Sequence, residues 1–384
     1  MRTPSVAIVH DYLTQRGGAE RVVLSMLKAF PGATVYTSLY VPETTFEEFA
    51  EVRIHTLPIN RLPALRNRHR LALPVLAPAF SALAVEADLV LCSSSGWAHA
   101  AHARGGRKVV YCHTPARWLY QPSTYMRGPL ARTSLALLRP HLTRWDRRAA
   151  ASADLYIAVS TVVGERIRST YGIEPILLHP PPGIQADGPR RPLPGLGKGF
   201  FLCVSRLLPY KNVDRVVAAF RLLAHERLVV VGDGPAAAGV RRLAGGNVTV
   251  LPRVTDDELR YLYAECGAVI AASYEDFGLT PLEAACFGKP ALALRGGGYV
   301  DTVVEGRTGF FFVNPTPEAI AAAVRRLEGA PLDPDVIRDR AMSFSERRFI
   351  ESLRTAALGT SPPPRSTGST SEDRSRSRAT SARA

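Results

Sequence analysis

Short, unbroken hydrophobic runs alternate with amphipathic stretches through the first half of the chain. Uninterrupted runs of this length are typical of strands in a parallel sheet that helices cover on both faces. The runs that we interpret as strands are residues 6–9, 33–36, 89–92, 109–112, 155–159 and 176–178, and two helices are predicted between them, at 20–30 and 161–171. The pattern therefore predicts a doubly wound, Rossmann-like α/β domain over residues 1–185.

Proline and glycine are concentrated in residues 180–197, where neither a helix nor a central strand can continue. We therefore place an interdomain linker at residues 186–198. The alternation then resumes, with predicted strands at 200–204, 228–231, 248–251, 268–271 and 290–294 and predicted helices at 212–223, 256–266, 281–287 and 317–327. A second doubly wound domain is expected over residues 199–340.

The last hydrophobic pattern, residues 333–358, predicts a helical segment with a break near Ser343. We expect its second part, residues 341–358, to form a C-terminal helix that packs back toward the first domain. Residues 359–384 are rich in Ser, Arg, Pro and Thr and contain almost no hydrophobic side chains. Such a segment cannot offset the entropy that it would lose on ordering, so a disordered tail is predicted.

Functional side chains are expected in loops that follow strands, because ligands of parallel sheets bind at the carboxyl ends of the strands. The most informative loop runs from Glu275 to Glu283, after predicted strand 268–271 and into a helix expected to begin at Pro281. Backbone amides at that helix N-terminus would attract phosphate. The two carboxylates could accept hydrogen bonds from sugar and ribose hydroxyls, or could be a helix-dipole partner and a loop charge.

Glu275 and Glu283, separated by seven residues with Gly278 and Pro281 between them, resemble the signature of the family 4 glycosyltransferases. The resemblance extends over most of residues 6–356. It implies the GT-B fold, in which two Rossmann-like domains face each other across a cleft, and transfer with retention of the anomeric configuration. It also implies that Glu275 contacts the transferred sugar and that Glu283 binds the ribose hydroxyls. The amides that it assigns to the diphosphate are those of Gly278, Leu279 and Thr280.

Arg206 and Lys211 follow predicted strand 200–204 of the second domain. They can converge on one diphosphate, the arginine as a planar fork and the lysine as a point charge. Members of the family carry a matching pair, which neutralises the leaving diphosphate. Because fixed positive charge of this kind replaces a cation, the resemblance implies no metal and no cofactor. The alternative is a pair of solvated loop cations.

Two loops of the first domain would complete the site. Gly17 and Gly18 let the backbone approach a ligand closely, and they are similar to the family's Gly-Gly-Ala-Glu loop, which lies across the cleft from the donor diphosphate. His113 follows predicted strand 109–112, where a histidine is either a structural hydrogen-bond partner or a catalytic group. It begins a His-Thr-Pro segment that matches many mannosyltransferases of the family, in which the imidazole touches the donor sugar.

Further loop residues are candidates for binding. Val254 follows predicted strand 248–251, at the point where the family uses the backbone to bind the nucleobase. Candidates for acceptor contacts follow His113 and are Arg117, Trp118 and Tyr120. Arg295 and Asp301 could line the donor cleft, although the family often has Glu where Asp301 stands.

The formal net charge of +14 over 384 residues favours anionic partners. Residues 60–73 form a basic amphipathic segment suited to an anionic membrane surface. A second basic cluster consists of Arg127, Arg132, Arg139, Arg144, Arg147 and Arg148. The alternative is a solvated basic face. The apolar stretch 71–85 is too short to span a bilayer and contains two prolines, so we expect a cytoplasmic protein that associates with the inner membrane face.

Five cysteines lack the spacing of a zinc or disulfide site and are expected to be reduced and buried. The glycines at 232 and 234 do not complete a dinucleotide fingerprint, because Ala237 stands at its third glycine position; this argues against a Rossmann-type oxidoreductase. A nucleic-acid-binding protein would explain the charge but not the paired carboxylates, so nucleic acid is not expected as a partner. The resemblance favours transfer of mannose from GDP-mannose to a glycan or lipid-linked acceptor, with UDP- or dTDP-sugars as alternative donors.

Overall fold

The computed structural model describes residues 4–67, 73–121 and 129–359. Residues 360–384 of the predicted tail lie outside the described part of the chain. In the first half, a parallel sheet has the order β3-β2-β1-β5-β7-β8-β9. Its strands are β1 (Val6–His10), β2 (Thr34–Thr37), β3 (Ile54–Thr56), β5 (Leu89–Ser94), β7 (Arg107–Cys112), β8 (Leu155–Ala158) and β9 (Ile176–Leu177), while β4 (Ala84–Glu86) pairs separately with β6 (His102–Arg104).

Helices cover this sheet and connect its strands. They are α1 (Gly18–Ala29), α2 (Pro63–Asn67), α3 (Leu73–Ser81), α4 (Arg117–Tyr120), α5 (Pro129–Ala151) and α6 (Thr161–Tyr171). Helix α6 begins after Ser160, whose Oγ accepts from the backbone N–H of Val163 at 3.2 Å, and it ends at Gly172 in the left-handed conformation, with φ 70°. Sequence reasoning did not identify α5 or the edge strand β3.

The second half of the chain forms a second parallel sheet with the order β12-β11-β10-β13-β14-β15. Its strands are β10 (Phe201–Val204), β11 (Leu228–Val231), β12 (Val248–Leu251), β13 (Ala268–Ala271), β14 (Ala291–Leu294) and β15 (Gly309–Phe312). Its helices are α7 (Val213–Ala219), α8 (Ala237–Leu243), α9 (Asp256–Glu265), α10 (Leu279–Cys286), α11 (Tyr299–Thr302) and α12 (Pro317–Glu328). The predicted α/β class with two doubly wound sheets is confirmed.

Helix α10 begins two residues earlier than the sequence suggested. Gly278 is its N-cap, with φ 87° and ψ 79°, so Pro281 is the third helical residue rather than the first. The first turn of a helix has backbone N–H groups without partners in the helix, and a proline is therefore tolerated there as well as at the first position. The amides of residues 278–280 still lie at the helix N-terminus.

The last described helix packs against the first domain. Helices α13 (Pro334–Met342) and α14 (Glu346–Leu358) are separated around Ser343, and α14 packs Phe349 into the core of the N-terminal domain. The Lys28 ammonium of α1 lies 2.8 Å from the Glu346 carboxylate. These contacts join the two ends of the chain, so the two domains are connected by α14 as well as by the linker.

Candidate active site in the interdomain cleft

Loops at the carboxyl ends of the two sheets meet between the domains. Gly18 opens α1 in the first domain, and a Cβ on it would lie 2.9 Å from Leu279 Cδ1 at the start of α10. Gly17 is the N-cap of α1 and Gly278 the N-cap of α10. Two helix N-termini therefore face the same space, and both favour an anion through their dipoles and unpaired backbone N–H groups.

Lys211 and Glu275 form an ion pair within the second domain. The Lys211 ammonium contacts Glu275 Oε1, which also accepts a hydrogen bond from Ser273 Oγ. Burial raises the pKa of Glu275, but the charge of Lys211 and these hydrogen bonds more than offset it, so its pKa lies below the ordinary value. Glu275 is thus a carboxylate at neutral pH, able to accept hydrogen bonds from a sugar.

Glu283 is buried on the first turns of α10. Its Oε2 accepts a hydrogen bond of 2.7 Å from the Tyr263 hydroxyl of α9. Burial raises the pKa of Glu283, and the hydrogen bond from Tyr263 and the charge of Arg21 offset only part of this effect. Arg21 comes from α1 of the other domain and donates to the carbonyl of Gly183 at 3.0 Å. Residues of both domains therefore surround this carboxyl group.

Arg206 reaches across the cleft. Its Nη1 donates to Gln15 Oε1 at 3.2 Å, in the loop that carries Gly17. The structure places Lys211 on Glu275 and Arg206 on Gln15, so the two cations have different partners. The predicted convergence of both groups on one diphosphate stays a prediction.

His113 lies at the end of β7 and contacts two neighbouring strands. Ser93 Oγ at the end of β5 lies 2.8 Å from His113 Nε2 and 3.0 Å from His10 Nδ1. Burial, with a smaller effect from His10, lowers the pKa of His113 to about 3, so the imidazole is neutral at neutral pH. Sequence reasoning did not single out Ser93 or His10. The register of β1, β5 and β7 brings these residues together. Predicting that these three strands are neighbours would have identified them from the sequence.

Two family models together match most of the chain. Residues 16–184 match the family described as Glycosyltransferase Family 4, and residues 189–343 match the one described as Glycosyl transferases group 1. The chain belongs to the family 4 glycosyltransferases.

Relatives and solved structures agree with this placement. The GDP-mannose-dependent alpha-(1-6)-phosphatidylinositol monomannoside mannosyltransferase of Mycolicibacterium smegmatis is 29% identical over 53% of this chain. The match spans 64% of that relative's own length. The D-inositol 3-phosphate glycosyltransferase of Acidothermus cellulolyticus is 28% identical over 73% of this chain and 71% of its own.

The crystal structure of Anabaena HepE in complex with UDP and glucose has a TM-score of 0.68 and 18% identity, covering 94% of this chain and all of that one. This similarity confirms the predicted GT-B fold.

Asp276, next to Glu275, is held by residues of the opposite domain. Arg117 of α4 and Arg166 of α6 both form ion pairs with its carboxylate. Its backbone carbonyl accepts a hydrogen bond from Ser160 Oγ. Arg117 forms this ion pair with Asp276, and its predicted contact with an acceptor stays a prediction. Sequence reasoning missed the role of Asp276 because its partners lie more than 100 residues away along the chain.

Two other predicted cleft residues have structural partners. Asp301 accepts a hydrogen bond of 2.7 Å from the backbone N–H of Thr161, the first residue of α6. The Arg295 guanidinium lies 2.6 Å from the Glu305 carboxylate and packs over the Phe311 ring. Asp301 thus joins the domains, and Arg295 is engaged within its own domain.

Three further residues that were predicted to bind ligands are Val254, Trp118 and Tyr120. Val254 is half-buried after β12 and directly precedes Thr255, the N-cap of α9. Trp118 stacks on Trp97 with ring centroids 4.4 Å apart, and the Tyr120 hydroxyl donates to Asp146 at 2.6 Å. These two aromatic residues contribute to the packing of the first domain, and their contact with an acceptor stays a prediction.

Gly232 and Gly234 have a structural explanation. Both have positive φ, and a Cβ on either would collide with the backbone of residues 205–207, the loop that carries Arg206. The Leu207 N–H also donates to the Asp233 carbonyl at 2.8 Å. These glycines therefore allow the Arg206 loop to pack closely on its neighbour.

No group of three or more His, Cys, Asp or Glu side chains suited to a metal ion occurs among residues 4–67, 73–121 and 129–359. Within the same ranges, every helix is too short or too polar to cross a bilayer. The five cysteines form no disulfide, and all except the half-buried Cys286 are buried.

Proposed function

We propose that this protein transfers a hexose, with retention of configuration, from a nucleotide-diphosphate sugar to a glycan or lipid-linked acceptor. The observation that carries the proposal is the Lys211–Glu275 ion pair beside the N-terminus of α10, with Gly17 and Gly18 of the other domain facing it. A carboxylate for sugar hydroxyls and positive groups for a diphosphate thereby lie side by side. Membership of the glycosyltransferase family supports the same reaction class.

The chemical step breaks the bond between the sugar C1 and a phosphate oxygen. Negative charge that develops on the diphosphate is stabilised by Arg206, Lys211 and the amides of residues 278–280. The departing phosphate oxygen takes the proton of the acceptor hydroxyl, and the acceptor oxygen bonds to C1 on the same face. The products are the glycosylated acceptor and the protonated nucleoside diphosphate. Because these groups are provided by the chain, we propose that no metal or other cofactor is required.

Two side chains position the sugar in this scheme. Glu275 binds sugar hydroxyls rather than attacking C1, since it is already neutralised by Lys211. His113 is a neutral imidazole, so it acts through hydrogen bonds and not as a general acid. Glu283 binds the ribose hydroxyls on the other side of Gly278, and Val254 contacts the base.

The first choice of donor is GDP-mannose. The relative from Mycolicibacterium smegmatis is named as GDP-mannose-dependent, which supports a guanine nucleotide and mannose. The structure of HepE contains UDP and glucose, which favours a UDP-sugar as the second choice. Phosphatidylinositol and inositol phosphate in the names of two relatives support a phosphorylated or lipid-linked acceptor.

A panel of nucleotide sugars tests the donor. We expect GDP-mannose to raise the melting temperature of the full chain more than UDP-glucose or a dTDP-sugar. We also expect transfer to continue in EDTA and the product to retain the anomeric configuration of the donor sugar. If no member of the panel raises the melting temperature or is consumed with any acceptor, the proposed function is wrong.

We further propose that the first domain contacts an anionic membrane surface. Arg144, Arg147 and Arg148 of α5 line an open groove of about 410 Å³. Part of the predicted basic segment, residues 68–72, and Arg127 of the second cluster lie outside the described residues. A Lys or Arg near an anionic leaflet contributes about 1 kcal/mol of attraction, which makes three clustered arginines sufficient for a measurable effect.

Vesicle co-sedimentation tests the membrane proposal. We expect binding to phosphatidylglycerol vesicles, but not to phosphatidylcholine vesicles, at low salt. Replacing Arg144, Arg147 and Arg148 by Ser should weaken it about tenfold or more. A matched control replaces Arg241 and Arg242 of α8, in the other domain. Equal binding to both vesicle types, or binding to neither, would contradict the proposed contact with an anionic surface.

A further inference from the structure

Glu20 is a buried carboxyl group directly beneath the Gly17–Gly18 turn. It lies in the first turn of α1, and only 1% of the residue is exposed. Its Oε1 accepts a hydrogen bond of 3.1 Å from Gln15 Nε2, whereas its Oε2 has no hydrogen-bond partner. A Cβ on Gly17 would lie 2.5 Å from Oε2. Burying an unpartnered carboxyl oxygen costs stability, so its presence at the cleft calls for a functional explanation.

Gln15 links this carboxyl group to the opposite domain. It accepts from Arg206 Nη1 through Oε1 while it donates to Glu20 through Nε2. A carboxylate oxygen can only accept, so Glu20 forces Gln15 to turn its amino group inward and its carbonyl toward the cleft. The orientation of the amide is therefore set by Glu20.

The contact with Gln15 restricts the conformations of the Arg206 side chain. Its side chain is exposed, and an exposed arginine has large rotamer freedom that binding must remove. Nη1 donates to Gln15, and the side chain also hydrogen-bonds Tyr210. A guanidinium has five N–H groups, so donors remain for a ligand. Fixing one corner of the planar group prepares the rest of it to bind an oxyanion.

We propose that Glu20 is a positioning residue that, through Gln15, presents the Arg206 guanidinium to the diphosphate of the nucleotide sugar. This inference rests on the proposed function, because it needs the donor diphosphate at Arg206. Glu20 touches neither the sugar nor the acceptor, and it acts only through Gln15.

The three linked side chains Glu20, Gln15 and Arg206, called the relay below, have a preferred protonation state at Glu20. Burial raises the pKa of Glu20 to about 7; hydrogen bonds from its own backbone N–H and from Gln15, and the charge of Arg206, offset part of this effect, whereas the charge of Asp11, which follows β1, adds to it. A proton on the unpartnered Oε2 leaves Oε1 available to Gln15, so the polarity of the relay is kept. A diphosphate beside Gly17 and Gly18 adds negative charge above Glu20 and favours the neutral acid further. Donor affinity should therefore fall as the pH rises through 7.

Donor affinity of the full chain, measured by calorimetry from pH 6 to 8.5, tests the relay. UDP-glucose and GDP-mannose are suitable probes, because their diphosphates are diesters with no phosphate group that titrates near 7. We expect the wild-type Kd to rise about fivefold or more over this range. Glu20→Gln should keep the affinity at pH 6 and lose the dependence on pH. Gln15→Ala and Glu20→Ala should weaken binding about tenfold throughout.

The control is Glu43→Gln, which changes an exposed carboxyl group of the same domain and should behave like the wild type. A Glu20→Gln variant with the pH profile of the wild type, or a Gln15→Ala variant with wild-type affinity, would overturn the inference alone. Failure of the wild type to bind either nucleotide sugar would overturn the proposed function together with the inference.

A second measurement needs no ligand and separates burial of the charge from misfolding. Because the folded-state pKa of Glu20 lies above its unfolded value, the wild type loses stability as the pH rises from about 4.5 to 7. Glu20→Gln does not carry this cost. Its melting temperature relative to the wild type should therefore be higher at pH 8.5 than at pH 5.5. A constant difference would contradict a buried, neutral carboxyl group at this position.

Discussion

Arg166 of α6 and Asp276 of the donor-side loop form an ion pair between the two domains. Both side chains are largely buried, and Arg166 Nη1 also donates to Thr114 Oγ1 at 3.2 Å. Thr114 follows His113, and Asp276 follows Glu275. One guanidinium therefore connects the loop that carries the histidine with the loop that carries the sugar-binding carboxylate.

Breaking this pair should loosen the position of Glu275. We expect Arg166→Gln to lower kcat/KM about tenfold, because a small displacement of the Glu275 carboxylate lowers the rate of sugar transfer substantially. Steady-state kinetics on Arg166→Gln, Asp276→Asn and the double variant would show strong non-additivity. The control is Arg168→Gln on the same helix, which removes an exposed ion pair with Glu174 in the segment after α6. Additive effects would mean that the two residues act separately.

Lys211 should be required for turnover. Loss of a preorganised charge stabiliser lowers rates by on the order of 100-fold or more, and we expect this for Lys211→Ala. Glu275 would also lose its ion-pair partner, so its pKa should rise. Turnover is measured with the preferred nucleotide sugar. The control is Lys198→Ala, which removes the exposed partner of an ion pair with Glu265. An unchanged rate would exclude Lys211 from the chemical step.

Tyr263 should affect donor binding more than the chemical step. Its hydroxyl donates to Glu283, the proposed ribose ligand. Tyr263→Phe leaves the buried carboxyl group with one partner fewer, at a cost of about 1–3 kcal/mol. We expect the donor KM to rise about tenfold with kcat within about twofold of the wild type. Tyr261→Phe on the same helix is the control, and a fall in kcat alone would contradict this role.

Gly278 should tolerate no side chain. It has φ 87°, and a Cβ there would collide with the Tyr299 ring. Gly306 has φ 71° with nothing within 4 Å of a Cβ, so Gly306→Ala isolates the backbone penalty of about 1–2 kcal/mol. We expect Gly278→Ala to lower the melting temperature further than Gly306→Ala and to abolish donor binding. Equal effects of the two variants would show that the collision is relieved.

His113 should contribute to acid sensitivity of the fold. Burial lowers its pKa to about 3, below the ordinary value of 6.5, so the unfolded chain binds the proton first as the pH falls. The part of the free energy of unfolding that depends on the neutral imidazole is complete above pH 6.5. It decreases toward pH 3, by up to about 3 kcal/mol at pH 4. We expect His113→Gln to lose less stability than the wild type between pH 6.5 and 4 in thermal melts. His225→Gln, an exposed change, should follow the wild type.

The sequence alone determined the architecture. The predicted bounds of β11 and β13 agree with the structure, because a fully buried parallel strand requires an uninterrupted hydrophobic run. The same reasoning located the carboxyl ends of the strands, and therefore the loops that carry Glu275, Lys211 and His113. Spacing within one loop is local information, which is why the motif from Glu275 to Glu283 was recognisable.

Only the tertiary structure decided which side chains are partners. Arg206 contacts Gln15, and Asp276 contacts Arg166, across 191 and 110 residues of sequence. Such pairs leave no periodic pattern, because each partner alone reads as an ordinary loop or surface residue. Glu20 likewise reads as a favourable first-turn carboxylate, and only its burial beneath Gly17 changes its protonation. The chain's local patterns fix its elements, whereas the electrostatics of the cleft depend on how two separately formed sheets come together.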